Sequence, residues 1–350
     1  MQLVLQPVGQ KCKILRAVAQ EHITAMTAHD ASRVMANVPV QTDEVFEEIH
    51  KKWESEQQEL KKKLVLENTE SWQSDLDGLR CVGGVDVSFV KTSSTLACAS
   101  LVVCDYPDLK VIYSDCELVH LDTPYIPGFL AFREVNFFLN LLHKLRDKEP
   151  NLMPQVILVD GNGILHPRGF GIASHLGVLS GIPCVGVAKT LMQVDGIAKN
   201  EQFAEKVAEL GSGGDTFPLM TDSGQILGMA LRGCHKSRNP IFVSVGHRIS
   251  LETATKLARR CCRYRVAEPV RQADIRSREF LREMYPESSP GKRQPQAPRS
   301  ERYKQTQDMA RPFPANEVRV GGAKGNMCFL DDHSGPSDEE SHFDCLFGPT

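Results

Sequence analysis

Three carboxylates occupy positions where burial makes an unpartnered acid costly. Asp160 closes the apolar run Val156 to Val159 and is followed by Gly161, Asn162 and Gly163. That pattern reads as a buried strand presenting an acid at its C-terminal end, where open α/β sheets place their ligand sites. Asp86 lies in the middle of VGGVDVSFV, residues 82–90. Side chains alternate along a strand, so Val85 and Val87 share one face while Asp86 and Ser88 take the other, with Gly84 leaving space beside them. An edge strand with Asp86 facing water is the competing reading. Glu134 opens a helical stretch in which Phe138, Leu141, Leu142 and Leu145 fall near its own azimuth, so it points along the buried face. A first-turn carboxylate favoured only by the helix dipole is the alternative there.

Acids that share one site repel unless a cation neutralises them, and an oxygen-only ligand set selects Mg²⁺ or Mn²⁺ over zinc. Such ions bind phosphates and activate water for in-line attack. Phosphodiester hydrolysis is the chemistry this pattern implies. Lys189 closes the apolar run Gly186-Val187-Ala188, where it either neutralises charge developing on a phosphate or is solvated at a strand end.

The elements that must hold these groups follow from periodicity. Val45, Ile49, Trp53, Leu60 and Leu64 recur at helical intervals and predict an amphipathic helix of about 25 residues. Strand-like runs at 82–90, 96–104 and 111–121, joined by short polar turns, predict an antiparallel meander. The segment Pro124-Tyr125-Ile126-Pro127-Gly128 permits neither strand nor helix interior. Beyond it a helix over 130–146, a strand over 155–160, a helix over 170–180 and a strand over 183–189 alternate, which indicates parallel βαβ units. A helix near 201–210, strands over 225–231 and 241–246, and a helix N-capped by Ser250 complete the ordered part.

Composition restricts the class. Apolar content of 41% and charged content of 24% are those of a soluble globular protein, and no apolar run approaches the ~20 residues that cross a bilayer. Eleven cysteines, an odd number without a C-x-x-C pair, give little support to structural zinc and suggest reduced thiols in an intracellular protein. The formal charge of −3 hides a split: residues 331–344 hold six acids and no Lys or Arg, and removing those six negative charges leaves +3. From Arg232 to Glu283 thirteen Lys or Arg face five acids, a ratio that suits a polyanionic partner. Residues 1–43 show no sustained period, and Glu21 and Asp30 argue against a targeting peptide. The reading is an extension over 1–43, a catalytic domain over 44–283 and a disordered tail over 284–350.

Three antiparallel strands followed by alternating helix and parallel strand, with Asp, Glu and Asp in those places, resemble the ribonuclease H-like fold, a mixed sheet flanked by helices. The ordered segments GVDVSF (84–89), PYIPGFLAFRE (124–134), VDGNGILHPRGFGIASHLGV (159–178), GVAKTL (186–191) and SVGHRISLETA (244–254) go further and resemble the motif series of endonuclease V. The resemblance implies that Asp86 and Asp160 bind a catalytic Mg²⁺, for which Mn²⁺ substitutes, and that Glu134 completes the cluster directly or through water. It makes Pro124, Tyr125, Ile126 and Pro127 a wedge that separates the modified base from its neighbours, with Tyr125 at the tip. It assigns hypoxanthine recognition partly to backbone at Gly128, Gly161 and Gly163, and places His166, His247 and Lys189 near the scissile phosphate.

The extra terminal segments look like those of an animal member, for which the resemblance implies an endoribonuclease acting on inosine in single-stranded or loosely paired RNA. The expected cut is at the second phosphodiester bond on the 3′ side, leaving 3′-hydroxyl and 5′-phosphate ends. A deoxyinosine-specific DNA repair endonuclease and a non-catalytic inosine-RNA binding protein are the competing readings. A monomer working in cytoplasm and nucleus, including the nucleolus, alongside RNA-associated proteins and away from membranes, completes the expectation.

Overall fold

The computed structural model describes residues 38–286, apart from Lys91, Thr92, Ser94, Asp122, Pro124 and Tyr125, and leaves the side chains of 38–45 undescribed. The expectations for most of the N-terminal extension, for the acidic tail and for the tip of the wedge therefore lie outside the described residues.

The first helix, α1 (Val38–Lys61), starts earlier than its apolar spacing indicates. Pro39 falls in its first turn, where a missing N–H is tolerated. Then come β1 (Cys81–Phe89), β2 (Leu96–Asp105) and β3 (Val111–His120), followed by α2 (Ala131–Lys148), β4 (Val156–Val159), α3 (Ile172–Ser180) and β5 (Cys184–Ala188). The chain continues through α4 (Glu201–Glu209), β6 (Thr216–Met220), β7 (Ile226–Leu231), β8 (Ile241–His247), α5 (Leu251–Cys261) and α6 (Glu268–Met284).

Among the described residues, eight strands form one sheet in the order β3-β2-β1-β4-β5-β8-β7-β6. The meander β1–β2–β3 is antiparallel, and β1–β4 and β4–β5 are parallel. The remaining strands β8, β7 and β6 return to antiparallel pairing. Parallel pairing is thus confined to the centre, where the C-terminal ends of β4 and β5 stand beside the middle of β1.

Alternation along β1 sorts its side chains between two layers. Cys81 and Val85 join the apolar cluster under α2 and α3, with Phe138, Leu141, Leu145 and Leu176. Val82 joins the opposite cluster under α5 and α6, with Leu257, Cys261 and Val270. Asp86, being even like Val82, faces the α6 side. Ser250 caps α5 as its sequence position indicates, its Oγ accepting from Thr253 N–H at 3.2 Å.

Two elements depart from the periodicity. Thr216–Met220 forms β6 despite Pro218, which is permitted because β6 is the last strand of the sheet and an edge tolerates a missing donor. Residues 268–284, read only as a basic stretch, form α6. Its buried face is Val270, Ala273, Ser277 and Leu281, a spacing masked in the sequence by the small and polar members at 273 and 277. Close packing at its start depends on Gly84, where a side chain would collide with the backbone of Pro269.

Candidate active site

Asp86 lies on β1 between β2 and β4, opposite Ser100, and is only 6% exposed. The edge-strand reading of this residue is therefore excluded. Its Oδ2 accepts hydrogen bonds from Ser88 Oγ and Ser277 Oγ, each at 3.2 Å, and the two hydroxyls are themselves 2.7 Å apart. Burial first, and the charge and hydrogen bond of Asp160 second, push the Asp86 carboxyl well above the usual carboxylate range, while Lys189 acts in the opposite direction.

Asp160 follows β4 directly, and its N–H donates to Val85 O at 3.2 Å, which fixes it beside Asp86. Lys189 follows β5, and its Nζ stands 2.8 Å from Asp160 Oδ2 and 3.4 Å from Asp274 Oδ1. Burial alone would lower the lysine pKa, but Asp160, Asp86 and Asp274 together hold it above the ordinary value. The strand-end reading of Lys189 as a merely solvated group does not fit this geometry, because the ammonium sits between two carboxylates. Asp274 also receives Arg278 Nη2 at 2.8 Å.

Asp274 is the acid that sequence reasoning missed. It stands in α6 between the buried Ala273 and Ser277, and a helical wheel over 268–284 would have placed it at the margin of that face. Without the helix it was one charge in a basic stretch.

Glu134 is 7% exposed on the buried face of α2, as its azimuth indicates. Burial raises its pKa to about 8, with Arg133 lowering it and Asp160 raising it. Asp86 and Glu134 thus reach the ends of the parallel strands from opposite layers, with Asp160 between them. Among the described residues no three His, Cys, Asp or Glu side chains already converge on one coordination point. Mg²⁺ fits the donor set nonetheless, because it is commonly held by one or two carboxylates with water and substrate phosphate filling the remaining positions. Asp86 and Asp160 supply that pair of hard oxygen donors, and Lys189 occupies the place where positive charge is needed.

On the substrate side the backbone positions expected at the glycine turns separate. Gly161 lines a cavity of about 310 Å³ together with Asp160, Asn162, Lys189 and Met192. Gly163 does not reach it: its N–H donates to Ser244 Oγ at 2.9 Å, and a side chain there would run into the Val245 carbonyl. Its glycine is explained by packing on β8. Pro127 is exposed and Gly128 half-buried with φ +83°. Ile126 instead turns inward, clustering with Trp53 and Phe129, so it supports the wedge from behind rather than facing a base. His166 lies beside Gly128, whose Cβ, if present, would be 3.9 Å from His166 Cε1. Burial, then Arg168 and Lys61, lower the His166 pKa to about 4.

His247 is not brought to the cluster. It pairs in register with Cys184 at the start of β5, whereas Lys189 follows the end of that strand. Five residues of extended chain separate the two by about 16 Å. Its Nδ1 accepts from Val65 N–H at 3.3 Å, so it tethers the chain that leaves α1. The sequence could not show this, because a histidine closing an antiparallel strand looks the same from either end of the sheet.

A mixed sheet of this topology, with acids gathered from β1, β4 and α6 around one lysine, defines a nuclease of ribonuclease H-like architecture. A family model described as Endonuclease V matches residues 58–275. Mouse endonuclease V is 60% identical over 232 residues, spanning 66% of this chain and 69% of the mouse protein. The catalytic domain of human endonuclease V superposes with a TM-score of 0.67 at 57% identity, covering 68% of this chain and 98% of that one. Endonuclease V of Ciona intestinalis, solved in complex with a 24mer DNA containing an inosine followed by a ribo-adenosine, superposes with a TM-score of 0.63 at 40% identity, covering 68% of this chain and 99% of that one. The chain belongs to the endonuclease V family and is an endonuclease.

Proposed function

We propose that this endonuclease selects inosine in single-stranded or loosely paired RNA and hydrolyses the second phosphodiester bond on its 3′ side with the help of Mg²⁺. The observation that carries the reading is the buried Asp86 beside the half-buried Asp160, with Lys189 2.8 Å from Asp160, opening beside the cavity that Gly161 lines. The Ciona relative, whose bound strand carries a ribose directly after inosine, supports a substrate in which a 2′-hydroxyl stands near the cut.

In this reading Asp86 and Asp160 hold the cation, with Glu134 completing the set directly or through water. The bound ion would supply charge neutralisation and a more acidic water for attack on phosphorus. Ser88 and Ser277 hold one carboxylate oxygen of Asp86, which would leave the other free to serve as a ligand. Lys189 neutralises charge as it develops on the phosphate oxygens. Water adds to phosphorus as the bond to the 3′-oxygen breaks, and that oxygen takes a proton. The ends left are a 3′-hydroxyl and a 5′-phosphate. Tyr125, between Pro124 and Pro127, replaces stacking lost when the base is displaced, and backbone at Gly128 and Gly161 approaches the flat base.

The test is cleavage of end-labelled single-stranded RNA with one inosine, beside its adenosine twin and the matching deoxyinosine DNA, with Mg²⁺ and an Asp86→Ala control. RNA cut one nucleotide beyond inosine, with the twin and the control intact, is the expected result. Cutting of DNA alone would make the protein a repair enzyme, and selective binding without cutting would make it a reader of inosine.

A further inference from the structure

Gln57, in the last two turns of α1, is 2% exposed and uses its whole amide. Its Nε2 donates to Gly128 O at 3.1 Å and to Phe170 O at 3.0 Å, and its Oε1 accepts from Arg168 Nε. Gly128 follows the wedge segment, and Phe170 ends the loop that begins at Asp160. One side chain from a third element therefore joins the two loops between which the base is taken to sit.

The surroundings make this junction rigid. Arg168 is held by Glu54 Oε1 at 2.7 Å, and its guanidinium lies 4.9 Å from the centre of the Phe129 ring. Lys61 Nζ donates to Arg168 O at 2.8 Å. Behind the wedge, Trp53 stacks on Phe132 with centroids 5.1 Å apart and planes inclined by 13°. A buried primary amide is tolerated only when its donors and acceptor are all satisfied. Here that condition is met only if Gly128 O, Phe170 O and Arg168 stand at one fixed mutual spacing. An apolar residue of equal volume would fill the site without setting that spacing.

We infer that Gln57 is a positioning residue for base recognition, setting the separation of the Gly128 turn from the 161–170 loop. The inference rests on the reading that these loops receive inosine. It differs from simple anchoring of α1, for which the bond from Arg168 and the packing of Trp53 would suffice.

Two variants of the full chain separate these roles. Gln57→Glu keeps an acceptor for Arg168 but removes both donations to the loop carbonyls, and Gln57→Met keeps only volume. For each, KM and kcat are measured on inosine RNA with Mg²⁺, the adenosine twin is titrated as a competitive inhibitor, and a thermal melt is recorded. Both variants are expected to raise KM for inosine RNA about tenfold, with kcat within about threefold and inhibition by the adenosine twin unchanged. Retained kcat also shows that the variants fold. If Gln57→Glu melts below the assay temperature, Gln57→Met carries the test.

An unchanged KM in both variants would overturn the inference. So would equal weakening toward both RNAs, or a wild-type Gln57→Glu beside a defective Gln57→Met, which would reduce Gln57 to an anchor for Arg168. If the wild type itself ignored inosine, the proposed function would fall and this role with it, an outcome read from the wild type alone.

Discussion

Ser277 on α6 donates its hydroxyl to Asp86 Oδ2 on β1 at 3.2 Å, across 191 residues of sequence. With Ser88 on the same oxygen, the carboxylate is turned so that one oxygen is spent on the protein and the other remains for a cation. Replacing Ser277 by Ala should weaken Mg²⁺ binding by about tenfold or more, the usual cost of losing a group that orients a metal ligand. Mn²⁺ titration of the RNA-free protein by calorimetry reads the effect directly, and a shifted Mg²⁺ dependence of cleavage should accompany it. Unaltered affinity in both assays would remove the orienting role.

Lys189 stands between Asp160 and Asp274. In Lys189→Met the two acids lose their shared counter-charge and the phosphate loses a cation. Single-turnover cleavage should slow by about a hundredfold or more, within the range measured for loss of one electrostatic group in a site. Lys189→Arg should remain impaired, because a planar fork cannot take the place of a compact ammonium between the same two carboxylates.

Gly84→Ala would drive a methyl group into the backbone of Pro269 at the start of α6. Overpacking of this kind costs about 1–3 kcal/mol, and urea unfolding should show a loss in that range. Activity should fall further than stability, since any outward shift of α6 carries Asp274 and Ser277 with it. A variant that is destabilised yet fully active would show that α6 accommodates the methyl without moving the site.

His175 is buried among Phe132 and Phe170, and burial lowers its pKa from 6.5 to about 4. Above pH 6.5 both folded and unfolded chains carry it neutral, so no penalty arises. As pH falls through 6.5 toward 4, the unfolded chain takes a proton that the folded one refuses, and stability is lost. His175→Gln should reduce the loss between pH 7.5 and pH 5 by about 2 kcal/mol, measured as the difference in urea stability at the two values. An identical loss in wild type and variant would contradict the burial effect.

What could be read from the chain alone follows how local the signal is. Asp160 and Lys189 were legible because each ends an apolar β-branched run, and Glu134 because Phe138, Leu141 and Leu145 mark one helical face. Asp274 was hidden because α6 buries Ala273 and Ser277, and small or polar residues leave no hydrophobic period. Gly163 and His247 fitted the motif order, yet their surroundings are set by β8, whose neighbour in the sheet no local pattern specifies. No element was read over β6, because a short run containing Pro218 carries little strand signal and its place at the sheet edge is a property of the assembled fold.

The helix that closes the site is also the last one described. Asp274 and Ser277 both belong to α6, so every described strand of the sheet precedes, in the chain, the residues that complete the acidic cluster. A nascent chain short of this helix holds Asp86, Asp160 and Lys189 without their final partners. A chain truncated before Asp274 would keep the described strands of the sheet but lack two of the groups gathered around Asp86 and Lys189, so the site depends on the polypeptide reaching through α6.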